Sequence, residues 1–139
     1  NVTNMGRMFY YYNSFNQPLN FNTSNVTNMA QLFYHCDSFN QPLNWNTSNV
    51  TNMEQMFTFC GFNQPLNWNT SNVTDMSYMF DSCIYFNQSL HFNTSNVKNM
   101  SNMFNMCRSF NQPLNWNVSK YGTVQVFYRT WIKESTKKM

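Results

Sequence analysis

FNQPLNWNTSNVTNMEQMF, residues 39–57, is the stretch whose reading decides the fold. Its helical half is clearest one step further on, from Thr51 to Cys60. There Met53, Met56, Phe57 and Cys60 fall at i, i+3, i+4 and i+7, the spacing of one helix face. Thr51 is placed to cap that helix, and Glu54, three residues on, completes a capping box. Asp75 occupies the first turn of the following copy, where a negative charge suits the helix dipole. Pro65 then stops any helix, because the residue before a proline is pushed to extended geometry. Leu66 and Trp68 alternate with Asn67 and Asn69, the period of a strand, and Asn-Thr-Ser-Asn closes the unit as a polar turn.

The same unit recurs outward in both directions. Asn-Val returns at Asn1, Asn25, Asn49, Asn72 and Asn96, in steps of 24, 24, 23 and 24 residues. Phe-Asn-Gln-Pro-Leu starts at Phe15, Phe39, Phe62 and Phe110, and the copy starting at Phe86 carries Ser89 in place of proline. One residue is missing after Cys60, where Gly61 leads directly into Phe62. A period of 20–29 residues belongs to leucine-rich-type arrays. The sequence therefore predicts an α/β solenoid, a leucine-rich-repeat-like stack of about five 24-residue coils over residues 1–119, each a short helix and a short strand. One coil cannot bury its apolar face alone, so stacking on a neighbour must complete it. Stacking places equivalent residues in columns: Met5, Met29, Met53, Met76 and Met100; Phe9, Phe33, Phe57, Phe80 and Phe104; Phe21, Trp45, Trp68, Phe92 and Trp116.

Residues 120–139 read as a degenerate capping half-repeat and a basic tail. Val124, Phe127, Tyr128 and Trp131 align with the Met, Met, Phe and Cys positions of the earlier helices. The N-terminal end has no comparable cap. It begins within a coil at Asn1-Val2, so the reading expects either a piece of a longer array or an end covered by something else.

Composition excludes much else. Asn supplies 26 of the 139 residues and Ala only one, which no helical bundle tolerates. A hydrophobic share of 42% with 19% aromatics is enough to build a core, so the chain is not disordered. No run of about 18 apolar residues exists to span a membrane as a helix. Residues 1–119 hold three cations against four anions, whereas 120–139 hold five cations against Glu134. Without a Lys/Arg stripe the body has no means of neutralising phosphates, so nucleic-acid binding over the body is not expected. The basic tail is the place for an acidic partner, with Lys133, Lys137 and Lys138 as the candidate contacts.

Chemistry finds little foothold. Cys36, Cys60, Cys83 and Cys107 form a column with no CxxC pair, and His35 and His91 stand at non-equivalent positions, so no zinc site is expected. Tightly wound coils could bring Cys36 near enough to Cys60 for a disulfide, but helices on adjacent coils pack at about 8–10 Å, and the favoured reading is a column of small buried hydrophobes. Met100, Met103 and Met106 resemble a Cu(I) run, but the first two belong to the core face. Eleven N-x-S/T sequons recur only because the repeat recurs. The Trp column is a sugar-stacking platform only if exposed, and its alternation with Asn favours the core. The column of Thr23, Thr47, Thr70 and Thr94 is expected on the outside. No catalytic triad, phosphate loop or metalloprotease helix exists, so the chain is not expected to be an enzyme or to hold a cofactor.

The run at residues 39–57 resembles the tandem repeat of BspA-like surface proteins, a repeat that also fills mycoplasma-type surface lipoproteins and occurs in proteins of large AT-rich DNA viruses. The resemblance covers about residues 1–119, with cysteine where a small residue such as Ala is more usual. It implies a surface-exposed, non-enzymatic module for adhesion or protein–protein contact, meeting other proteins at its uncapped N-terminal end or its basic tail. The alternative is a minor structural subunit of a large assembly such as a viral capsid, and the outsider is a glycan-binding adhesin.

Overall fold

The computed structural model describes residues 1–122, 126 and 127. The repeat is preserved in three dimensions as five layers, 1–24, 25–48, 49–71, 72–95 and 96–119, with equivalent residues over one another. The expected contents of each layer are not. Among the described residues the one named element is a 3-10 helix, Val118–Tyr121, and no sheet forms. Parallel pairing is confined to isolated bridges such as Asn28↔Asn52 and Leu66↔Leu90. This overturns the α/β solenoid of helix-and-strand coils and, with it, the leucine-rich-repeat-like architecture.

The backbone hydrogen bonds give the reason. In layer 3 the amides of Met53, Gln55, Phe57 and Phe59 donate to the carbonyls of Asp75, Ser77, Met79 and Asp81 in layer 4, at 2.8–3.0 Å. The amides between them close turns instead: Met56 to Met53, Thr58 to Gln55 and Cys60 to Phe57, at 3.2–3.3 Å. An α-helix would direct every amide back to residue i−4 inside its own layer. Here every second amide points along the stack. Layers joined by direct backbone bonds lie far closer than the ~8–10 Å that helices require, so a helix does not fit.

The resulting ribbon of successive turns needs left-handed backbone. Gln55 has φ 54° and Phe59 φ 54°, each at the third residue of a turn, where a type II turn requires positive φ. The same two stations are positive in every layer, as in Arg7 and Tyr11, or Asn102 and Met106. The apolar spacing was read correctly as one inward face, but a ribbon of turns satisfies i, i+3, i+4 and i+7 as a helix does. Thr51 does not cap: its hydroxyl donates to the Thr27 carbonyl, and the side chain of Asn52 accepts from the amide of Glu54 at 2.9 Å. Asp75 likewise closes a local turn, accepting from the amide and hydroxyl of Ser77.

The core is a set of columns. Phe9, Phe33, Phe57, Phe80, Phe104 and Phe127 stack with centroids 5.5–5.8 Å apart. A second Phe column interleaves with it, Phe57 and Phe62 lying 4.3 Å apart within one layer. Phe127 continues the Phe column and the carbonyl of Val126 accepts from Phe104, so the C-terminal segment is in register one residue away from the expected alignment. Val124, Tyr128 and Trp131 lie outside the described residues. Leu43, Trp45 and Thr47 alternate inward against Asn44 and Asn46, so strand-like alternation holds even where no strand forms. It also extends to threonine: Thr23, Thr47 and Thr70 are buried, not exposed as expected. Their hydroxyls satisfy themselves on carbonyls of the next layer, Thr47 on Asn69 at 2.9 Å.

Two outcomes check this account. Gln55→Gly is expected to be more stable than Gln55→Ala by up to about 1 kcal/mol, because alanine resists positive φ; a helix would give the opposite order. Phe57→Ala is expected to lower the unfolding free energy by ~3–5 kcal/mol in denaturant titration, and a loss below about 1 kcal/mol would contradict the buried Phe column.

Candidate functional site

Lys133, Lys137 and Lys138, the expected partner contacts in the basic tail, lie outside the described residues. The other places singled out in the sequence turn inward. Trp45, Trp68 and Trp116 are 8%, 6% and 6% exposed, which removes them as a sugar-stacking platform. Trp68 donates from Nε1 to the carbonyl of Leu43 in the preceding layer at 3.0 Å. Only Phe21, at the open end of that column, is exposed.

The four cysteines are free and buried. The thiols of Cys36 and Cys107 donate to the carbonyls of Phe9 and Phe80, and that of Cys83 to Cys60. Burial pushes all four thiols up, Cys36 to about 11 and Cys60, Cys83 and Cys107 strongly upward. A buried thiol that resists ionisation is a poor nucleophile at neutral pH. Among the described residues no group of three or more His, Cys, Asp or Glu side chains is gathered for a metal. Met100 and Met103 are core, as their positions in the columns require, and Met106 stands apart from them, half-buried. Burial also raises the carboxyl of Asp81, against the opposing hydrogen bonds from Asn105 and Ser82. Tyr34 is raised by burial first and then by Tyr11, Tyr10 and Asp81.

Two places remain where the surface is unlike the repeat. The first is the N-terminal layer. Val2, Met8, Tyr10, Tyr11, Tyr12 and Phe21 are all exposed there. Arg7 lies over the Tyr10 ring, 4.9 Å from its centroid, and donates from Nε to Gln31. The carbonyls of Asn28, Ala30, Leu32 and Tyr34 accept the amides of layer 1. Their equivalents in layer 1, the carbonyls of Asn4, Gly6, Met8 and Tyr10, accept no backbone bond among the described residues. A cavity of about 320 Å³ opens at this end against Val2, Met5, Met8 and Phe21.

The second is a recess of about 510 Å³ over Cys60 and Gly61, where the repeat is one residue short. His35 and Asp37 wall it on the side of layer 2, and Ile84, Tyr85, Met106 and Arg108 on the side of layers 4 and 5. A side chain at Gly61 is excluded, since its Cβ would lie 2.2 Å from the carbonyl oxygen of Asp37. Sequence reasoning noted the missing residue but drew nothing from it; the slip from 24 to 23 was the available signal.

The thiols give a pH-dependent outcome. A folded-state pKa above the unfolded value near 9 leaves stability intact at lower pH and removes it as pH rises toward the folded value. The melting temperature is therefore expected to fall above about pH 9, and Cys83→Ala is expected to lose less over that range than the parent chain, read by calorimetry. Equal alkaline losses in the two proteins would contradict it.

A family model described as a Mycoplasma protein of unknown function, DUF285, matches the chain over residues 1–67 and 44–137. No curated protein and no solved structure gives a significant match.

Proposed function

Because the chain belongs to DUF285, a Mycoplasma protein family of unknown function, we propose that it is a non-enzymatic repeat module exposed on a cell or particle surface, where it binds other proteins. The observation that carries this reading is apolar surface in the middle layers that the stacked core does not use: Phe59, Ile84 and Tyr85 stand exposed there. Exposed aromatics of this kind supply the contact area of protein interfaces.

The Phe, Met and Cys side chains of the interior are used in packing layer against layer. No helix among the described residues is long and apolar enough to cross a membrane. The surface placement rests on the resemblance of residues 39–57 to BspA-like surface repeats.

Limited trypsin treatment of intact source cells or particles tests the placement. Peptides bounded by Arg7, Lys98 and Arg108 are expected in the released fraction, and a chain that stays whole until lysis would overturn it. A photo-cross-linking residue in place of Tyr85 tests the contact. One discrete protein adduct is expected in the native setting, and the same adduct from a probe at Asn67, away from that surface, would contradict its role.

A further inference from the structure

We infer that the recess over Gly61 is a binding site that takes an apolar side chain of a protein partner with an adjacent Asp or Glu carboxylate held by Arg108. The site exists because the repeat slips. In layers 2, 4 and 5 two residues separate the column cysteine from the following Phe: Asp37-Ser38, Ile84-Tyr85 and Arg108-Ser109. In layer 3 a single residue does so, Gly61, and it has no side chain. Its amide donates to the carbonyl of Cys36 at 3.2 Å, which draws the chain in against layer 2. The surface of layer 3 thus drops below its neighbours, and the neighbours' side chains become walls.

Those walls have a definite chemistry. Phe59, Ile84 and Tyr85 stand 43%, 40% and 61% exposed beside the recess, apolar surface that the layered core does not use. The volume of about 510 Å³ suits one or two side chains rather than an extended glycan. The charges are unequal in their partners. Asp37 lies 3.1 Å from Nδ1 of His35, a contact that is an ion pair only when the imidazole is protonated. Arg108, exposed on the opposite wall, has no acidic side chain within reach among the described residues. An incoming carboxylate would supply the bidentate partner that a guanidinium takes best. The recess is shallow and open on one side, which favours a segment of polypeptide laid across it.

The test is a titration of the ¹⁵N-labelled full chain with acetyl-Gly-Phe-Glu-Gly-amide and with its Gln counterpart. Saturable shifts are expected at the amides of Phe59, Gly61, Tyr85 and Arg108. The Glu peptide is expected to bind about fivefold tighter than the Gln peptide. Arg108→Gln should erase that preference, and Tyr85→Ala should weaken both peptides. Inserting Ser between Gly61 and Phe62 restores the 24-residue period and should abolish the shifts. Should the insertion fail to fold, the two substitutions at exposed positions carry the test. Absence of saturable shifts at millimolar peptide, or a Glu preference that survives Arg108→Gln, would overturn the proposal. Equal binding of N-acetylphenylalanine would overturn its assignment to a protein segment. The site rests on the reading of the chain as a protein-binding module, whose surface placement the proteolysis tests separately.

Discussion

Every layer depends on one arrangement: alternate backbone amides point along the stack and donate to the next layer. From Met5 donating to Asn28, through Met29 to Asn52 and Met53 to Asp75, to Met76 donating to Asn99, the pattern repeats without a gap. At 2.7–3.0 Å these are short, well-formed bonds. They fix how near the layers lie, and that separation decides the rest. Phe rings stack at 5.5–5.8 Å, a thiol reaches the carbonyl of the preceding layer, and an α-helix has no room in the described ribbon of turns. The intervening amides are left to close turns, which places two residues per layer at positive φ. Each such residue costs about 1–2 kcal/mol, and the interlayer bonds, worth about 1 kcal/mol net apiece, offset it together with the stacked core.

The polar side chains serve the same arrangement. Asn is abundant because four stations that recur from layer to layer use a short amide. Asn28 and Asn52 accept from the amide two residues on. Asn46 and Asn69 accept from the amide and hydroxyl of the serine two residues on. Asn40 accepts from the amide of Asn63 in the next layer, and Asn63 from Asn87. Asn49 and Asn72 donate back to the carbonyls of Ser24 and Ser48. Gln31 and Gln55 join side chain to side chain on the outside. Backbone that lacks regular structure is thus hydrogen-bonded by its own side chains, as a buried chain requires.

Much of this was legible. The repeat, its one-residue slip, the Met and Phe columns, the inward Trp residues and the buried Cys column all follow from periodicity and residue size. The helix did not survive, because inward spacing reports which side chains are buried and not how the backbone closes. Gln55 and Phe59 carry no sign that they adopt positive φ, since neither is Gly or Asn. Thr47 was misplaced because a hydroxyl in a polar turn sequence reads as exposed, whereas the neighbouring layer supplies its acceptor. The recess over Gly61 was visible only as an irregularity in counting. The register at Val126 and Phe127 was missed by one residue because the repeat decays there; among the described residues Phe127 lies over Phe104, and the Val126 carbonyl accepts from the Phe104 amide.

The most direct test of the layered backbone is the scalar coupling carried across its hydrogen bonds, measured by NMR on the labelled chain. The account predicts a coupling between the amide nitrogen of Phe57 and the carbonyl carbon of Met79, in the next layer. A coupling from Phe57 to the carbonyl carbon of Met53, four residues back in the same layer, would show a helix and contradict it.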